Sequence, residues 1–263
     1  MSRLYTEVRG SGPTLALLHG WGLNLRVWDG LAAALCDRFR MVAVDLPGHG
    51  RSPWLPERSS LAAQAQQVHE AVAAIAGTYC LLGWSLGGQI ALQLAAAQPI
   101  PAAAIERLVL IAATPRLGAA PDWPHGAPPE RLAEQSLGLR TDYRRTVGDF
   151  LELQVRGSVG GEAALAQLRA ALFAHGEARP EALTRGLELL RDTDLRPLLG
   201  GIARPTLVIA GQYDRVTLPA ASRSLAQRLT DGRYVEIRRA AHAPFLSHLP
   251  QVSTLIADFL RQT

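Results

Sequence analysis

Lysine is absent from this chain: all 27 basic residues are arginine, against 23 acids, for a formal net charge of +4. The arginines alternate with acids instead of massing in a run, so nucleic-acid binding is not expected, and the pattern reads as a solvated mixed-charge surface. A local arginine cluster still leaves room for an acidic protein partner. Cysteine is nearly absent. Cys36 and Cys80 fall in apolar patterns where free buried thiols are common, so no disulfide is expected, and no Cys/His cluster has metal-ligand spacing. Long apolar runs are also missing: none approaches the roughly 18 residues of a membrane helix, and the start, Met1 to Gly10, has no apolar signal region. The expectation is a cytoplasmic, monomeric protein without membrane contact, metal or cofactor.

What is present is apolar and alternating. The chain has 263 residues, 48% of them hydrophobic, enough for one large core. Short apolar runs at Thr14–Leu18, Met41–Val44, Tyr79–Leu82, Leu108–Ile111, Thr206–Ile209 and Tyr234–Ile237 read as strands covered on both faces. Helical patterns lie between them, near Leu61–Ala76, Gln89–Ala97, Ala220–Leu229 and Val252–Leu260. Such alternation gives an α/β fold with a mostly parallel sheet flanked by helices. It breaks after Ile111, where a proline-rich loop from Pro115 to Pro129 leads into helical patterns near Arg131–Ser136, Tyr143–Val155, Ala163–Ala174 and Pro180–Leu190. The expected organisation is a core of residues 1–114 and 200–263 with residues 115–199 inserted as a helical lid.

Residues 81–88 hold the sharpest chemical signal. An apolar run ends in Gly83-x-Ser85-x-Gly87 and continues into a helix, so a serine sits at a strained strand-to-helix turn where neighbouring bulk would collide with the chain. Ser85 is the candidate nucleophile. A serine hydroxyl needs a base within hydrogen-bond reach and an acid to orient that base. Among seven histidines, His242 follows the last strand and is the candidate base, ahead of His248, whose place before the final helix suits loop capping. His49 reads as structural, and His69, His125 and His175 read as surface or packing residues. Asp214, in the loop after the Thr206 strand, is the candidate acid, with Asp192, Asp194 and Asp45 as alternatives and a turn-capping role as the bland explanation. His19-Gly20-Trp21-Gly22 follows the first buried strand and fits an oxyanion loop, with the Trp21 N–H as one donor and the Leu86 N–H as the other.

These residues resemble the α/β-hydrolase superfamily over nearly the whole chain. Within it the resemblance is to the carboxylesterases of the biotin pathway that demethylate a pimeloyl-acyl-carrier protein methyl ester. It is carried by His19-Gly-Trp-Gly-Leu-Asn24 with Val27-Trp28, Gly83-Trp-Ser-Leu-Gly-Gly88, Arg145-Thr-Val147, Phe150-Leu-Glu-Leu-Gln154, Gly186-Leu-Glu-Leu189, Asp194-Leu-Arg196 and Ala240-Ala-His-Ala-Pro-Phe245. It implies substrate contacts at Trp21, Ser85, Leu86, His242 and the stretch Phe150, Leu151, Glu152, Leu153 and Gln154. Helical spacing independently puts Val147, Phe150, Leu151, Gln154 and Val155 on one apolar face. The resemblance also implies transient contact between lid arginines such as Arg145 and an acidic carrier protein. Asp149 and Glu162 depart from that pattern, standing where basic residues would be expected.

Overall fold

The computed structural model describes residues 3–97 and 105–261; residues 1–2, 98–104 and 262–263, which fall within the expected core segments, lie outside the described residues. Seven strands form one sheet: β1 (Thr6–Arg9), β2 (Thr14–Leu18), β3 (Arg40–Val44), β4 (Tyr79–Trp84), β5 (Ile105–Ile111), β6 (Thr206–Gly211) and β7 (Gly232–Ile237). Their order is β1-β3-β2-β4-β5-β6-β7, parallel except for β1. Every residue of β2, β4 and β6 is buried, which explains their unbroken apolar runs. The edges differ. β1 reads Thr-Glu-Val-Arg and is half exposed; charged, short edge strands resist pairing with other chains, and for the same reason β1 carries no apolar run and was not expected from the sequence.

Helices α1 (Asp29–Leu35), α2 (Leu61–Ala73) and α3 (Leu86–Ala96) connect the first strands. Ser60 caps α2 by accepting from the Ala63 N–H. Between β5 and β6 the insertion carries α4 (Pro129–Thr141), α5 (Tyr143–Val155), α6 (Gly161–Ala174) and α7 (Pro180–Asp192), as the break in alternation implied. Asp142 caps α5 through the Arg145 N–H, and Pro180 opens α7. The chain ends with α8 (Pro219–Arg228), α9 (Pro244–Ser247) and α10 (Leu249–Arg261).

The strand order reverses at β2: β3 lies on one side of it and β4 on the other. Crevices form beyond the carboxyl ends of strands at such a reversal. Here that position receives the loop after β2 and the turn after β4, and the inserted helices cover it. Backbone bonds fasten the insertion to the core, with Arg179 N–H on Gly48 O (2.8 Å) and Val159 N–H on Arg239 O (2.9 Å). Cys36 and Cys80 are free thiols, and burial pushes the Cys80 thiol up to about 12. Among the described residues, no helix is long and apolar enough to cross a membrane.

Candidate active site

Ser85 joins β4 to α3 with φ 55° and ψ −116°, a conformation that costs a non-glycine residue about 1–3 kcal/mol. Its N–H donates to Ile111 O (3.1 Å), and its carbonyl accepts from the N–H groups of Gly88 (2.9 Å) and Gln89 (3.2 Å). The tight turn explains the glycines. A Cβ on Gly83 would overlap the Gly87 carbonyl, and one on Gly87 would overlap the Leu18 carbonyl. Gly87→Ala therefore has to push the start of α3 away from the end of β2. We expect it to lower the unfolding free energy in urea by about 3 kcal/mol or more, with activity lost in parallel.

The loops after β6 and β7 are zipped together before either presents its side chain. Gln212 N–H donates to Ile237 O (3.0 Å) and Tyr213 N–H to Ala240 O (2.8 Å). A side chain on Gly211 would overlap Ala241 O, so only glycine permits this approach. The result is His242 Nδ1 at 2.8 Å from Asp214 Oδ2, both side chains buried. Asp214 Oδ1 accepts from the N–H groups of Val216 (2.8 Å) and Thr217 (2.9 Å), which fixes the carboxylate and leaves Oδ2 for the imidazole. With its proton on Nδ1, His242 offers Nε2 as a lone-pair base, and that buried nitrogen has no hydrogen-bond partner among the described residues. Trp84, the neighbour of Ser85, donates through Nε1 to His242 O (2.9 Å) and ties the two loops together. Phe245 packs on Trp84 at a 4.9 Å ring separation and buttresses them.

The alternatives are engaged elsewhere. Asp192 pairs with Arg191 on the surface, and Asp194 binds Arg196 (2.6 Å) and Arg116 (2.9 Å), which hold its carboxyl far below the usual range. Asp45 accepts from the N–H groups of Leu25 (2.7 Å) and Arg51 (2.9 Å) and lies 3.3 Å from His175. His248 bonds to Ser247 (2.9 Å).

His19 and His49 both hold the loop after β2 in shape. The N–H of Leu46 donates to His19 Nε2 (3.0 Å), so His19 Nδ1 carries the proton and donates to Gly20 O (2.8 Å). The N–H of Gly22 donates to His49 Nε2 (3.3 Å), and His49 Nδ1 donates to Pro47 O (3.0 Å). The N–H groups of Trp21 and Leu86 have no acceptor among the described residues. Burial lowers the pKa of both imidazoles, for His49 to about 3, with the nearby His19 adding to the shift. An unfolded histidine takes a proton below about pH 6.5. Between pH 6.5 and 3 the unfolded state therefore binds more protons, and stability is complete above that window and falls with pH inside it. Urea unfolding at pH 7 and pH 5 should differ by about 2 kcal/mol through His49 alone, a difference that His49→Gln should remove.

A narrow apolar slot, with a free volume of about 30 Å³, opens at Ser85. Leu117 and Ala127 from the loop after β5, Leu132 from α4, Phe150 and Leu153 from α5, Leu187 and Leu190 from α7, and Val216 line it, with Arg131 and Gln135 as its polar members. Of the five-residue α5 stretch expected to touch substrate, Phe150 and Leu153 reach this slot. Leu151 is buried in the core, and Glu152 is exposed and paired with Arg169 (2.9 Å). A helix turns about 100° per residue, so five consecutive side chains cannot share one face. Gln154 is buried; its carbonyl accepts the His242 N–H (2.9 Å). Trp21 packs edge-on against Phe150 at 5.1 Å and donates to Leu183 O (2.9 Å), forming a wall behind the slot. The slot residues missed in the sequence come from segments far apart in the chain, although the spacing of Leu187 and Leu190 on α7 marks one face.

A serine on a strand-to-helix elbow after β4, a histidine–carboxylate pair at the ends of β6 and β7 and a helical cover define a class of hydrolase. The chain belongs to the alpha/beta hydrolase family, whose model matches residues 15–253. Among curated relatives, it is 40% identical to the pimeloyl-[acyl-carrier protein] methyl ester esterase of Xanthomonas oryzae pv. oryzae, over 98% of both chains. It is 38% identical to the protein of that name from Nitrosomonas europaea, over 94% of this chain and 95% of the relative. Of solved structures, an esterase from Exiguobacterium antarcticum shares the fold, with a TM-score of 0.90 at 21% identity over 99% of this chain and 96% of its own.

Proposed function

We propose that the protein hydrolyses the methyl ester of a pimeloyl-acyl-carrier protein, releasing methanol and the free ω-carboxylate, the demethylation step of the biotin pathway. The main support is the 38–40% identity, spread over nearly the full length, to esterases of that name. Ser85 Oγ attacks the methyl ester carbonyl while His242 Nε2 takes its proton, and Asp214 stabilises the imidazolium. The N–H groups of Trp21 and Leu86 receive the oxyanion. Collapse expels methoxide, which takes the proton from His242 and leaves as methanol. Water then attacks the acyl-enzyme, His242 removes a water proton, and Ser85 leaves reprotonated.

The slot's apolar lining suits a methylene chain, and α4, α5 and α7 act as the lid that opens over it. Carrier contact runs through exposed lid arginines. Arg145 is available on α5, although it lies 3.7 Å from Asp149, and Arg169 is held by Glu152; Arg140 and Arg156 are also exposed. That internal neutralisation favours a second reading, an esterase acting on small soluble esters.

Methanol release separates the two. We expect kcat/KM for the carrier-bound ester to exceed that for a small methyl ester by at least about tenfold. Equal efficiency on both would remove the carrier from the account.

A further inference from the structure

Arg131 and Gln135 lie one turn apart on the same face of α4, at i and i+4. Both line the slot that contains Ser85, and both also line an outer vestibule of about 260 Å³ with Glu134, Thr146 and Asp149. Among the described residues they are the only hydrogen-bonding side chains of the slot apart from Ser85. The Gln135 Nε2 is buried and has no partner among the described residues. Arg131 spends one N–H on Arg215 O (2.8 Å), in the loop that carries Asp214, and a guanidinium has five such donors.

A plain hydrocarbon chain entering this slot would leave the buried Gln135 Nε2 unpaired, which disfavours it. A chain with an acceptor at the slot's outer end would satisfy that nitrogen and Arg131 together. Glu134 and Asp149 beside that end repel a negative charge, so the fitting acceptor is neutral. We infer that Arg131 and Gln135 bind the second carbonyl of the substrate, the thioester carbonyl remote from the methyl ester. The pair then selects half-esters of dicarboxylic acids that are thioesterified at the far end, over alkanoate esters and over half-esters with a free carboxylate. This inference rests on ester hydrolysis at Ser85 and not on carrier docking, because the donors act on the acyl chain itself.

The test compares three substrates free of carrier protein: methyl pimeloyl-N-acetylcysteamine thioester, methyl heptanoate and monomethyl pimelate. The wild type should prefer the thioester over the alkanoate by about tenfold or more in kcat/KM. Gln135→Leu should cut that preference severalfold. Gln135→Glu, nearly isosteric and able to capture Arg131 as an i,i+4 ion pair, should abolish it by withdrawing both donors. An unchanged preference in the Gln135→Glu protein, or a wild type that favours monomethyl pimelate, overturns the inference. A wild type inert on all three small esters, yet active on the carrier-bound ester, would also overturn it, while leaving the proposed function standing. A wild type inert on the carrier-bound ester as well would instead mark the failure of that function.

Discussion

Ser85→Ala should lower kcat by about 10⁵- to 10⁶-fold while the chain folds as before, because a triad's members act as a unit and the nucleophile has no substitute. Among the described residues, no other serine, threonine or cysteine lines the slot. The residual rate would come from the donors at Trp21 and Leu86 and from substrate binding, which still operate without the hydroxyl. Stability gives the same substitution a second readout. Ser85 holds φ 55° and ψ −116°, and alanine inherits that strain while glycine relieves it. Ser85→Gly should therefore be equally inactive but more stable than Ser85→Ala by about 1 kcal/mol in urea unfolding. Equal stabilities would mean that the elbow is not strained in solution.

Asp214→Asn should cost about 10⁴-fold in kcat with little change in KM. The reason lies in how the carboxylate is held. Oδ1 is fixed by the Val216 and Thr217 N–H groups, so an asparagine would place its carbonyl there and turn its NH₂ toward His242 Nδ1. Nδ1 must then accept, which moves the ring proton to Nε2, the nitrogen that has to serve as base. The tautomer is wrong although the geometry is kept. A chemical-shift measurement on the His242 ring nitrogens would see the exchange directly. An Asp214→Asn enzyme with activity within tenfold of wild type would mean that Asp214 only caps its turn.

The buried strands were legible because burial on both faces writes an unbroken apolar run, as in Leu15 to Leu18 and Leu207 to Ile209. The Ser85 elbow was legible because crowding by the Gly87 and Leu18 carbonyls restricts positions 83 and 87 to glycine. The pairing of Asp214 with His242 could be expected from chain order, but its geometry depends on the contacts of Gly211 with Ala241 and of Tyr213 with Ala240, which leave no periodic trace. The slot was least legible. Its walls come from five segments between Leu117 and Val216 as well as Ser85, and whether Phe150 or Leu151 faces inward depends on how α5 is rotated against α4 and the core. Edge strand β1 escaped for the opposite reason, since a half-exposed Thr-Glu-Val-Arg carries no hydrophobic signal.

The most direct test of the account is the mass of the covalent intermediate. Enzyme mixed with the methyl ester of pimeloyl-acyl-carrier protein, quenched in acid during the first turnover and analysed by intact-protein mass spectrometry, reports which carbonyl Ser85 attacks. Attack on the methyl ester gives an adduct with the mass of enzyme plus the whole carrier substrate less one methanol, mapped to Ser85 and missing in Ser85→Ala. A small monomethyl pimeloyl adduct with free carrier thiol would show thioester cleavage instead and contradict the proposed function.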